Sequence, residues 1–269
     1  MEISSPSPVP LPETMQWDGR SQASGQSYRI YAHQPPGPPP AKGYPLLVLT
    51  DAELFFASAV QQVSARAAMG DISAPLIVGV GFVDADPATV QTRRMENFGA
   101  GKAKEASAFT TFLTTELLPW VDSRWAVDPS SRSLFGFSLG ALATLDMLLH
   151  QPTKFQQYIA ASPSLWWNDG AMLKAFQAQP RHLHDARILV SWGDEEENPA
   201  RAIGPAHLTD EERAGLVRDA QMIGNAQALV RQLRQNRSAS VETWRFPDEN
   251  HASVAWLSLS RAIGFALQR

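Results

Sequence analysis

At 269 residues the chain has the length of one sizeable α/β domain, and 44% hydrophobic against 19% charged residues is the balance of a globular protein. Its net charge of −4 includes no run of Lys and Arg, so no basic stripe marks nucleic-acid binding. The absence of cysteine excludes disulfides, thiolate metal sites and a cysteine nucleophile.

Met1 to Ser5 lacks the basic and apolar stretches of a secretory signal. No apolar run approaches the roughly 20 residues that span a bilayer. The expectation is a cytoplasmic protein without a membrane segment, folded as one domain over residues 1–269 behind an irregular arm at 1–25. Pro6 to Pro12 and Pro35 to Pro40 read as loops, because proline lacks the amide donor a sheet needs. Between them Ser27 to Ala32 reads as a strand. Tyr44 to Leu49 is a continuous apolar run, the pattern of a strand covered on both faces, and Leu54 to Ala68 reads as a helix. Pro75 to Phe82 follows as a strand, then a polar loop carrying Arg93, Arg94 and Asn97.

Further along, Ala108 to Val121 reads as a helix, Ser133 to Phe137 as a strand, and Leu139 to His150 as a helix dense in Ala and Leu. Gln157 to Ala161 and Ile188 to Trp192 are strands flanking a short helix at Met172 to Gln177. Thr209 to Asn236 reads as one long helix opening on a capping box, Thr209-Asp210-Glu211-Glu212. Val241 to Phe246 is the last strand and Ala252 to Leu267 the closing helix. Strands alternating with helices call for right-handed crossovers and a mostly parallel sheet with helices on both faces. In such α/β sheets chemistry sits in loops at the carboxyl ends of strands.

Gly136-Phe137-Ser138-Leu139-Gly140 matches the nucleophile elbow G-x-S-x-G, in which a serine sits on a sharp strand-to-helix turn. Chance alone supplies this pattern about 0.1 times in such a chain when Gly and Ser each occur near 7%. Here an apolar strand precedes it and an Ala/Leu helix follows, the context the motif needs. A serine hydroxyl needs a base, and the order in α/β-hydrolases is serine, acid, histidine. Of the histidines after Ser138, His150 lies about 18 Å along the helix that Ser138 opens, and reads as a helix-end surface residue. His182 and His184 precede the last two strands, and His207 lies in a Pro- and Gly-rich segment. His251 alone follows the final strand, which makes it the candidate base. The acid should follow the strand ending at Trp192, where Asp194, Glu195, Glu196 and Glu197 all qualify; a solvated acidic loop is the plain reading for most of them. The oxyanion donors should be the amide of Leu139 and an amide near Ala52, in the loop Thr50 to Glu53.

With these residues in hand the chain resembles the esterase D-like α/β-hydrolases, in particular their trilactone siderophore (enterobactin-type) esterases. The likeness runs from Ser27 to the end. It rests on the elbow, on Ala160-Ala161-Ser162-Pro163-Ser164-Leu165-Trp166-Trp167, on Asp51, on Leu118-Pro119-Trp120 and on Glu249-Asn250-His251. It implies an α/β-hydrolase fold and an acid three residues beyond Gly193, hence Glu196, with Asp194 next; a Ser–His dyad without a firm acid also occurs in the group. Two departures stand out: Asp51-Ala52 replaces Asp-Gly, and Arg94-Met95-Glu96-Asn97 replaces Arg-x-x-Asp.

The implied reaction is ester hydrolysis through an acyl-enzyme on Ser138, with a siderophore ester or trilactone, including a ferric siderophore, as small-molecule substrate. Trp166, Trp167 and Trp192 are candidates for an apolar substrate wall, and Arg93 and Arg94 for contact with an anionic one. For each the plain alternative is a packing or solvent-facing role. Asn198 to Leu208 reads as part of a lid. The same catalytic set serves S-formylglutathione-type thioesters and feruloyl or acetyl esters. A non-catalytic binding protein on a hydrolase scaffold would have lost Ser138 or His251, and both are present. No cofactor is implied, and no metal: no His pair at helical spacing accompanies a carboxylate.

Overall fold

Largely apolar runs such as Tyr44–Thr50 and Leu76–Phe82 exclude solvent only when covered on both faces, and the fold supplies that cover. In the computed structural model, which describes residues 10–83, 86–99, 105–178, 182–204 and 207–268, eight strands form one sheet. They are β1 (Thr14–Arg20), β2 (Ser27–His33), β3 (Tyr44–Thr50), β4 (Leu76–Phe82), β5 (Val127–Phe137), β6 (Gln157–Ala161), β7 (Arg187–Gly193) and β8 (Ser240–Phe246). Their spatial order is β1-β2-β4-β3-β5-β6-β7-β8, antiparallel at β1–β2–β4 and parallel from β4 to β8. This is the α/β-hydrolase arrangement, a mostly parallel sheet with helices on both faces.

Helices α1 (Ala52–Ala68) and α9 (Val254–Leu267) cover one face, burying Phe55, Val63, Leu259 and Ile263 against Leu47, Phe135 and Ile159. The other face lies under α2 (Pro87–Phe98), α3 (Ala108–Phe112), α4 (Leu118–Arg124), α5 (Leu139–His150), α6 (Trp167–Ala178) and α8 (Met222–Arg234), around Phe98, Phe109, Leu145 and Leu229. A short α7 (Asp210–Ala220) precedes α8. The chain runs from β3 outward to β4 and then returns to the other side of β3 with β5, so the topological switch lies between β3 and β5. Open α/β sheets bind ligands at the carboxyl ends of the strands at such a point.

Several expectations are corrected. The arm at 1–25 is not irregular throughout, for Thr14–Arg20 forms edge strand β1; residues 1–9 lie outside the described residues. Its sequence, TMQWDGR, alternates only at Met15 and Trp17, too briefly to mark a strand, and none of its residues is buried; Trp17 packs on Trp120 and Trp125, and Asp18 pairs with Arg29 across the ladder. The segment holding Arg93, Arg94 and Asn97 is helix α2, capped by Asp86, whose carboxylate accepts from the Thr89 amide at 2.8 Å. Only Asn97 and Phe98 of α2 are buried, so it has no apolar stripe to reveal it. The expected long helix from Thr209 is two helices. The capping box of Thr209 and Glu212 is present, but Gln221 at φ 43° breaks the run, and the new amino end at Gly224 donates to Glu197 at 2.8 Å. His150 is not a surface residue: its side chain is mostly buried, with Nε2 3.5 Å from Asp146 Oδ1. No helix among the described residues is long and apolar enough to cross a membrane.

Candidate active site

Ser138 sits between β5 and α5 at φ 58°, ψ −118°, a conformation that costs a non-glycine residue about 1–3 kcal/mol. The flanking glycines are sterically required. A Cβ on Gly136 would lie 2.1 Å from the Gly140 carbonyl oxygen, and one on Gly140 would lie 2.4 Å from Thr50 Oγ1 and 2.6 Å from Asp51 Oδ2. The elbow is therefore pressed directly against the end of β3.

His251 comes from the loop after β8. Its ring stacks on Phe137 with centroids 4.9 Å apart, and Nε2 lies 3.0 Å from Ser138 Oγ. On its other side Nδ1 is 2.6 Å from Glu196 Oε2, and the Glu196 side chain is wholly buried. Glu196 Oε1 in turn accepts from the Gly193 amide at 2.6 Å and from Ser162 Oγ at 2.8 Å. Both oxygens of this buried carboxyl group are thus engaged, one by the imidazole and one by two donors, which fixes its orientation toward His251. The β8 loop itself is fixed by Asn250, whose Oδ1 accepts from the amides of Ala252 and Ser253, and by the Glu195 amide donating to the Glu249 carbonyl at 3.0 Å.

The acidic run after β7 thus divides four ways. Asp194 pairs with Arg245, Glu195 accepts from Asn198, Glu196 meets His251, and Glu197 caps α8. Three carboxylates hold loops together and one reaches the imidazole.

Leu139 and Ala52 open α5 and α1, so their amides have no carbonyl four residues back to bond. Each follows a residue in a positive-φ conformation, Ser138 and Asp51 (φ 54°). The amino ends of α5 and α1 are neighbours, since Gly140 packs against Thr50 and Asp51, and the first amides of both helices carry the positive end of a helix dipole. The positive φ of this loop falls on Asp51 and not on Ala52, which is already helical, and the Asp51 carboxylate is gripped by Arg94: Nε to Oδ1 at 2.6 Å and Nη2 to Oδ2 at 3.2 Å. Burial alone would lower the Arg94 pKa, but the charge and hydrogen bonds of Asp51 raise it on balance, so the pair is ionic.

A cleft of about 500 Å³ opens over Ser138 and His251, lined by Asp51, Glu53, Leu54, Val90, Arg94, Phe137, Ile203, Ala252, Ala255 and Trp256. Arg94 is in this wall, yet most of its donors are spent on Asp51 and on Gln91. Arg93 is turned toward Gln26 and Glu96. Trp166 and Trp167 are not in the lining. They pack edge to face beyond Ser164, Trp167 against Gly99, with Trp166 42% exposed. Trp192 is buried in the core. Of the expected lid, Ile203 reaches the cleft and Arg201 donates to the Asp248 carbonyl at 3.2 Å, while residues 205–206 lie outside the described residues.

Sequence reading missed Trp256, Leu54 and Val90 as wall residues, and gave no role to Ser162 and Ser164. The one sequence signal for Trp256 is its place five residues past His251; in the structure it is 44% exposed at the start of α9, beside the similarly exposed Leu257.

Comparison with known proteins bears on the family and the fold. Residues 21–228 match the model of the Esterase family, described as "Putative esterase". The chain is 28% identical to the ferri-bacillibactin esterase BesA of Bacillus subtilis (strain 168), over 92% of this chain and 87% of that protein. It is also 28% identical to the siderophore triacetylfusarinine C esterase of Aspergillus fumigatus, over 96% and 94%. Among solved structures, the siderophore hydrolase EstB from Aspergillus nidulans superposes with a TM-score of 0.85 at 23% identity, covering 99% of this chain and 98% of that one. The BES protein from Bacillus cereus gives 0.76 at 25% identity over the same shares. A match that spans most of the sheet and the elbow places the chain in this esterase family, as a carboxylic ester hydrolase.

Proposed function

We propose that this esterase cleaves a siderophore ester or lactone through an acyl-enzyme on Ser138. The observation that carries the reading is the unbroken hydrogen-bonded chain from Glu196 through His251 to Ser138. Ser138 Oγ attacks the ester carbonyl and passes its proton to His251 Nε2, while Glu196 holds Nδ1–H and balances the imidazolium. The tetrahedral oxyanion is received by the amides of Leu139 and Ala52. Its collapse expels the alcohol, which takes the proton from His251. Water then attacks the acyl-enzyme, giving its proton to His251; the acid leaves and Ser138 recovers its hydrogen.

The substrate class is supported by the names of the relatives above and by the cleft. A wall of Leu54, Val90, Ile203 and Trp256 suits a bulky, partly aromatic ester better than a small polar thioester. In this reading Arg94 supports the oxyanion loop first and faces substrate second. Trp166 and Trp167, beyond Ser164, meet only a substrate large enough to overhang the cleft.

Chromatography of a hydrolysis panel tests the assignment: ferric and iron-free catecholate trilactones, a ferric hydroxamate ester, p-nitrophenyl esters and S-formylglutathione. The expected result is a kcat/KM at least about tenfold higher for a siderophore ester than for the p-nitrophenyl esters. Turnover of S-formylglutathione alone would remove the siderophore assignment.

A further inference from the structure

Ser162-Pro163-Ser164 leaves the end of β6 between the acid and the nucleophile. Ser162 Oγ donates to Glu196 Oε1 at 2.8 Å, the carboxylate oxygen that His251 does not use. Two residues on, Ser164 Oγ lies 3.0 Å from Ser138 Oγ, and the Ser164 amide donates to the Ser138 carbonyl at 3.2 Å. The turn is anchored on both neighbouring strands: the Ser162 amide donates to the Ser191 carbonyl at 2.8 Å, and the Ser138 amide to Ala161 at 2.9 Å. Both serines are buried, at 1% and 3% exposure.

The backbone adds a second, independent indication. Ser162 holds φ 41°, left-handed, directly before a proline that favours extended conformations in its predecessor. Glycine relieves that strain and alanine needs no hydrogen-bond partner, so a strained, buried serine makes sense through what its hydroxyl holds. Proton counting assigns the other hydroxyl. With a neutral His251 carrying its proton on Nδ1 toward Glu196, the Ser138 proton belongs to Nε2. Ser164 is then the donor in its contact with Ser138. It fixes the nucleophile's rotamer, and it donates to the same oxygen when Ser138 leaves the acyl-enzyme.

We propose that the Ser162-Pro163-Ser164 turn is a brace that positions both ends of the catalytic chain, Ser162 setting Glu196 and Ser164 setting Ser138. The proposal rests on the serine acyl-enzyme reading. Its test uses the full chain with Ser162→Gly, Ser164→Ala, Glu196→Ala, the Ser162→Gly/Glu196→Ala double variant and Ser138→Ala, measuring kcat, KM, inactivation rate with a fluorophosphonate, and thermal midpoint.

Ser162→Gly should keep or raise the midpoint, since glycine adopts the left-handed conformation freely, while kcat falls roughly tenfold and KM stays within about twofold. In the Glu196→Ala background the same change should alter kcat, or the inactivation rate where turnover is too slow, by less than about twofold, because its target is gone. Ser164→Ala should lower kcat and the inactivation rate roughly tenfold at unchanged KM. Should it fail to fold, Ser164→Cys, a weaker donor of similar shape, should show a smaller loss in the same two rates. The brace is overturned if these variants turn over like wild type, if Ser162→Gly costs as much without Glu196 as with it, or if lost activity follows lost folded protein. Hydrolysis that survives Ser138→Ala would instead overturn the serine mechanism itself.

Discussion

The floor of the cleft and its wall are built on opposite physics. On the floor Ser138, His251 and Glu196 rest on the ends of β5, β8 and β7, with hydrogen bonds of 2.6 to 3.0 Å, a strained serine backbone and glycines that admit no side chain. In the wall Leu54, Ile203 and Trp256 are 43%, 39% and 44% exposed and make contacts that substitutions can reshape. The floor is over-determined because chemistry tolerates little displacement of the reacting atoms. In the proposed function the wall is what selects among esters, and its exposed residues are free to vary. One scaffold can then retain a single reaction while its relatives are named for different siderophores.

The sharpest way to break this contrast is to disturb the floor without moving it. Glu196→Gln is near-isosteric but cannot stabilise an imidazolium, so kcat should fall by about 10³- to 10⁴-fold in steady-state assays. A loss below tenfold would mean that His251 works as half of a dyad. Next, Gly136→Ala places a Cβ against the Gly140 carbonyl and should cost about 3 kcal/mol, read from the denaturant midpoint. An equal change in the wall should be nearly silent for stability. Trp256→Ala should raise KM for an aromatic ester about fivefold with little change in kcat or thermal midpoint.

The smallest effect concerns Glu53, the wall carboxyl beside Ala52. Partial burial, with the nearby Asp51 charge, pushes its pKa above the usual carboxylate range, although hydrogen bonds from its own and the Phe82 amide pull the other way. A raised folded pKa means that its stabilising contribution is complete below the ordinary value of 4.5 and is lost as pH rises through the folded value. Glu53→Gln should therefore gain stability relative to wild type as pH rises above 4.5, and the gain should vanish below it. Solvent screening keeps the difference under about 1 kcal/mol, readable as a pH series of unfolding midpoints.

The same divide separates what could be read in the chain from what could not. Buried strands and the elbow announce themselves, since Tyr44–Thr50, Leu76–Phe82 and the Ala/Leu run of α5 are apolar whatever surrounds them. Ser138 and His251 follow from motif and chain order. Glu196 does not follow from residue type, for its neighbours Asp194, Glu195 and Glu197 are chemically equivalent until Arg245, Asn198 and Gly224 claim them. Edge strand β1 and helix α2 escaped for a related reason: they bury few or no residues, so the periodicity that burial writes into sequence is short or faint there. Aromatic residues misled as well. Three tryptophans near strand ends were candidate wall residues, whereas the wall uses Trp256, which a helix, not a strand, carries to the cleft.

The most direct test of the account is the site of covalent labelling. After brief exposure to a fluorophosphonate, peptide mass spectrometry should find one adduct, on Ser138, appearing in step with loss of ester hydrolysis. Full inactivation with Ser138 unmodified, or labelling elsewhere while hydrolysis persists, would contradict it.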